Sequence, residues 1–130
     1  DFVREYMEAI GHHEFGKGLK PVNFGGWLDG EPGTPDALAF WLRYWTVAYR
    51  FVLEHARDST VLVSYARLTE EPEPALSCLA EVLGASERLV SQADALRSPR
   101  AHEVDRDQLP DPLLRKAQAV YDRLDERADI

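Results

Sequence analysis

One cysteine and one methionine are all the sulfur in these 130 residues. Cys78 therefore has no partner for an internal disulfide, and a chain without disulfides fits a reducing cytoplasm. Its position between Leu76 and Leu79 reads as that of a small buried hydrophobe rather than a reactive thiol. Long apolar runs are missing as well. None approaches the roughly 20 residues that span a bilayer, so no transmembrane segment is expected, and there is no signal peptide. Basic charge is in deficit: 15 Lys and Arg against 23 Asp and Glu leave a net charge of −8. Nucleic-acid backbones and anionic membranes need a basic face, so neither is expected as the main partner. Motifs are also absent. The sequence has no G-x-x-x-x-G-K-S/T loop, no G-x-G-x-x-G after a strand, no H-E-x-x-H and no C-x-x-C. His12, His13, His55 and His102 share no ligand spacing, which argues for structural or solvated histidines and against a metal site.

What is present suffices for a core in a single domain or part of one, spanning residues 1–130. Hydrophobic residues make up 45% of the chain and fall in periodic groups, with three Trp, five Tyr and five Phe among them. Residues 1–10 put Phe2, Val3, Tyr6, Met7 and Ile10 on one helical face, and Gly11 is a stop. Seven of the eight glycines then lie between residues 11 and 33. A loop that long is usually functional, and Phe15, Val22, Phe24, Trp27 and Leu28 punctuate it. Two readings stay open there: one wall of a pocket, or an Ω-loop anchored by its aromatics. Residues 35–57 form the strongest helix, with Thr34 as cap and Pro35 at the first position. Its aromatic stripe, Phe40, Trp41, Tyr44, Trp45 and Phe51, reads as core. Arg43, Arg50 and Arg57 recur every seven residues and read as a solvated basic edge.

The chain is organised around residues 61–84, VLVSYARLTEEPEPALSCLAEVLG. Val61, Leu62 and Val63 are a short β-branched and apolar run that predicts a buried strand. Ser64 and Tyr65 then stand at its carboxyl end, where βα units place ligand-contacting groups. An acidic turn, Thr69 to Pro74, leads into a helix with Leu76, Leu79, Ala80 and Leu83 inward and Gly84 closing it. The carboxylates Glu70, Glu71 and Glu73 suit the helix start better than acid–base chemistry. Ser86 caps a shorter helix, and residues 97–111 form a polar loop. There, Arg97, Ser98 and Arg100 are a cation–hydroxyl cluster of the type that holds a phosphate, or a plain loop neutralised by Glu103, Asp105 and Asp107. The last helix starts at Asp111–Pro112 and runs to about Arg127, burying Leu114, Ala117, Val120, Tyr121 and Leu124. A lone strand leaves backbone groups unpaired, so its partner strands are expected in sequence outside this chain.

Three segments, in order, resemble the C-terminal half of the sulfotransferase family. Phe15 followed by VNFGGW (22–27) is similar to an aromatic–Gly–Ser–Trp segment of the acceptor pocket. Phe40 through Trp45 resembles the Trp-rich helix that follows it. The 61–84 stretch resembles a strand–Tyr–Glu–Asp–Leu–turn–Pro–helix–Leu–Gly segment. The resemblance covers residues 1 to about 98. It implies an α/β fold of the P-loop type, of which this portion would be mostly helical with one or two strands. It also implies a nucleotide-binding transferase that moves a sulfuryl group from the co-substrate 3′-phosphoadenosine 5′-phosphosulfate (PAPS) to a small-molecule hydroxyl or amine, without a metal.

By resemblance Tyr65 approaches the adenine, with Ser64, Arg97, Ser98 and Arg100 on the donor side and Phe15, Val22, Phe24 and Trp27 on the acceptor side. No catalytic residue is assigned within the chain. The phosphosulfate loop, the catalytic histidine and the 3′-phosphate Arg/Ser pair have no match in it. Ala66–Arg67 stands where the family has Glu–Asp. The expectation is a cytoplasmic enzyme whose activity needs a missing N-terminal portion, possible homo-oligomerisation being open. A helical interaction module that keeps the scaffold without the chemistry is the alternative, and a P-loop kinase relative is a third reading.

Overall fold

The computed structural model describes residues 2–11, 19–85, 87–97 and 106–130. Two compact units divide the chain: residues 1–54 with 106–118, and residues 55–105 with 119–130. Phe15, Ser98 and Arg100 lie outside the described residues, as do His12, His13, Ser86 and His102.

The first unit opens with α1 (Phe2–Ala9), which Gly11 ends in a left-handed conformation at φ 67°. Phe2, Tyr6 and Ile10 on its apolar face are exposed. Helix α2 (Leu38–His55) starts three residues later than its proline suggests. Residues 34–37 instead form a turn closed by the Ala37 N–H on the Thr34 carbonyl at 3.0 Å. The 18 residues of α2 contain no glycine or proline. They bury Phe40, Thr46 and Leu53. Thr46 is the one polar member of that set, and its hydroxyl donates to the Leu42 carbonyl at 2.6 Å, which offsets the cost of burying it. Leu109, Leu113 and Ala117 are the buried residues that the 106–118 segment adds to this unit.

The second unit contains α3 (Tyr65–Glu70), α4 (Pro72–Leu83) and a 3-10 segment over Glu87–Ala95. Both α3 and the 3-10 segment pack on α4. Pro72 stands at the start of α4, where its missing N–H costs nothing, and Glu73 compensates the dipole. Gly84 ends the helix in the left-handed region at φ 59°, and the Ala85 N–H reaches back to the Ala80 carbonyl at 2.8 Å. Helix α5 (Asp111–Arg127) begins on the expected Asp–Pro pair. Its inward positions are Leu113, Ala117 and Val120, whereas Leu114 and Leu124 are half-buried and Tyr121 is exposed.

An α/β fold of the P-loop type is contradicted. The structure is 69% helix, with no strand or sheet among the described residues. Residues 61–63 belong to no helix or strand and Ser64 is extended, and among the described residues only 129–130 pair with them. Ser64 N–H donates to the Ile130 carbonyl at 2.7 Å and Ile130 N–H to the Leu62 carbonyl at 3.4 Å, the pattern of one parallel bridge around Val63. One bridge does not make a ladder. Val61 and Val63 remain exposed, not buried.

Two local readings also change. The acidic turn at 69–74 is a helix–break–helix, with α3 and α4 meeting at Glu71 (φ −127°, ψ 65°). On α4 the buried residues are Ala75, Leu76 and Ala80, while Leu83 is 65% exposed. Cys78, two residues and about 200° around the helix from Leu76, is exposed rather than buried.

Candidate functional site

In the first unit the glycine-rich loop is built onto the aromatic stripe of α2. Phe24–Asp29 consists of two 3-10 turns joined at Gly25 and Gly26, both left-handed at φ 58° and 77°. That kink lets Asn23 bridge the loop: its side-chain amide donates to Asp29 at 3.2 Å and its carbonyl accepts from the Leu28 N–H at 2.8 Å. Trp27 Nε1–H donates to the Val22 carbonyl at 2.8 Å, and the Val22 N–H donates to the Tyr44 hydroxyl at 3.2 Å. The Trp27 ring stacks on Tyr44 at 5.4 Å and meets Phe40 at 5.4 Å. Phe24 sits against Phe51 at 5.3 Å. Val22, Phe24 and Trp27 are thus brought together on α2. Phe24 anchors the loop, and Trp27 anchors it while forming the wall of a cleft.

The cleft has a volume of about 340 Å³. Trp27, Val47 and Leu113 give it apolar walls, Arg43, Arg50 and Lys116 contribute cations, and Glu31 is its single carboxylate. The guanidinium of Arg43 donates to the Pro32 carbonyl at 3.0 Å, holding the end of the loop to α2. Arg50 pairs with Glu54 at 3.7 Å in an exposed i,i+4 bridge of the weak kind. Within the seven-residue row Arg50 and Arg57 are exposed, as a solvated edge requires, and Arg43 is half-buried; Arg43 and Arg50 also line the cleft. Arg57 lies beyond the end of α2.

In the second unit the structure joins two residues of the expected donor side. Tyr65 is the first residue of α3 rather than the end of a strand, and the residue is 56% exposed. Its hydroxyl donates to the Arg97 carbonyl at 3.2 Å, across 32 residues of sequence. The Arg97 guanidinium turns back on its own segment, donating to the Asp94 carbonyl and, at 2.9 Å, to that of Leu96. Ser64 caps α3, its hydroxyl accepting from the Arg67 N–H at 3.4 Å. A hydroxyl so placed is structural first.

Arg67 has a role that its sequence position did not announce. Its guanidinium donates to the Ala128 carbonyl at 2.9 Å and to the Asp125 carbonyl at 2.5 Å, and lies 3.5 Å from the Asp125 carboxylate. It thereby satisfies the carbonyls at the end of α5, where a cation is also favoured by the dipole. The only available hint was a lone cation in an acidic stretch.

Among the described residues no group of His, Cys, Asp or Glu side chains is placed to hold a metal ion. No helix among them is long and apolar enough to cross a membrane. Comparison with protein-family models, curated proteins and solved structures returned no match to this chain.

Proposed function

We propose that the chain is part of a cytoplasmic PAPS-dependent sulfotransferase, supplying an acceptor-side wall and a nucleotide contact. The observation that carries this reading is the meeting of Tyr65 with Arg97, two residues assigned to the donor side from separate segments. An exposed phenol ring held at its hydroxyl by a backbone carbonyl offers a fixed face on which a purine can stack. The loop that supplies Trp27 gives the acceptor side a rigid aromatic wall.

In the reaction the acceptor oxygen bonds to sulfur and the bond from sulfur to the 5′-phosphate breaks. Adenosine 3′,5′-bisphosphate leaves, and the hydroxyl proton passes to a general base. Cations and N–H groups must stabilise the charge on the moving group. This chain has no phosphosulfate loop and no assigned base, so the 130 residues on their own are expected not to turn over. Incubating the complete protein with labelled PAPS and labelled ATP side by side tests the reading. Sulfuryl transfer to a phenol supports it; phosphoryl transfer, or none, contradicts it.

A second reading has its own support. Val61, Val63, Val82 and Leu83 in the second unit expose between 37% and 65% of their surface. A helical interaction module would use such residues to dock a partner, and would show binding of a partner chain without nucleotide affinity.

A further inference from the structure

We infer that the cleft at Trp27 takes an organic anion with a flat apolar body, so that the acceptor carries a carboxylate or similar group beside its hydroxyl. The charge balance of the cleft points there. The chain as a whole is at −8. The cleft lining carries Arg43, Arg50 and Lys116 against Glu31, three positive charges and one negative, a local excess of +2. In an acidic protein a positive concavity with apolar walls focuses the field on an anion and repels nothing that it needs to hold. Among the described residues neither Arg43 nor Lys116 has a carboxylate partner. Arg50 is engaged only by the exposed, 3.7 Å contact with Glu54.

Shape agrees with charge. A volume of about 340 Å³ accommodates a bicyclic aromatic acid. Trp27 forms one wall, fixed by its stack on Tyr44 and its bond to the Val22 carbonyl, so it is preorganised to lie along an aromatic ring. Arg43 and Arg50 are two turns apart on one helix, roughly 10 Å along its axis, and Lys116 comes from α5. The cations are thus spread along the cleft and select for charge more than for one geometry.

Calling the occupant an acceptor rests on the sulfotransferase reading; the anion preference rests on the cleft alone. Isothermal titration of the full chain with a hydroxynaphthoate and with uncharged naphthol, without any nucleotide, separates the two. The acid is expected to bind about tenfold tighter at low salt, two weakly screened ion pairs' worth, and to lose that margin as salt rises. Arg50→Gln with Lys116→Gln removes the margin between acid and naphthol, while Lys116→Arg keeps it. Arg43 is left intact because it also holds the loop. Equal affinity for acid and naphthol, no binding of either, or a margin that survives the double substitution overturns the inference. Anion binding by a protein that fails to transfer sulfuryl groups would sink the enzymatic reading and leave this one standing.

Discussion

Arg67 shows how one residue changes the meaning of a segment. Two carbonyls at the end of α5 accept from its guanidinium, and the side chains of Arg67 and Asp125 are 43% and 48% exposed. Water screens an ion pair this open, so the pair itself adds little. The hydrogen bonds to carbonyls weigh more because their donor is charged, although the Asp125 carbonyl also accepts from the Ala128 N–H at 3.3 Å. Arg67→Ala is expected to lower the stability of the chain by about 1–2 kcal/mol, and Asp125→Asn by less than about 0.5 kcal/mol. Urea denaturation of the two variants measures the difference; equal losses would assign the stabilisation to the ion pair. Neither effect was legible in the sequence, because 58 residues separate the two partners.

Elements were legible where the chain punctuates itself. Asp111–Pro112 announced α5, and an unbroken aromatic stripe announced α2. Gly84 announced the end of α4. No neighbouring atom lies within 4 Å of where a Cβ on Gly84 would stand, so substitution there meets only backbone strain. Gly84→Ala is accordingly expected to cost about 1–2 kcal/mol, read as a drop in the urea midpoint with unchanged m-value. A loss below a few tenths would mean that the left-handed cap contributes nothing. The failure came at Val61–Val63. A β-branched run predicts a strand only if another strand is there to pair with it, and sequence pattern does not report the partner. Here the partner is two residues long, so α3 starts at Tyr65 directly after the bridge. That shift moves Tyr65 from a strand end to a helix start without hiding it. The exposed face of Cys78 follows from the same cause, since the inward stripe of α4 centres on Leu76 and Ala80 rather than on Leu83.

At the scale of the whole molecule, the two units present different surfaces. The first presents an aromatic and cationic cleft, the second an exposed phenol anchored to a backbone carbonyl. Of the residues expected to bind, the structure unites Val22, Phe24 and Trp27 on α2, and joins Tyr65 to Arg97. It gives Ser64 to helix capping. The central claim is that Tyr65 contacts the adenine of the donor. Isothermal titration of the complete protein with adenosine 3′,5′-bisphosphate, comparing wild type with Tyr65→Phe and Tyr65→Ala, tests it most directly. Stacking on an aromatic ring is worth about 1–3 kcal/mol per base, so Tyr65→Ala should weaken binding at least fivefold while Tyr65→Phe, which keeps the ring, loses much less. Wild-type affinity in Tyr65→Ala, or no nucleotide binding by the wild type, would contradict the account.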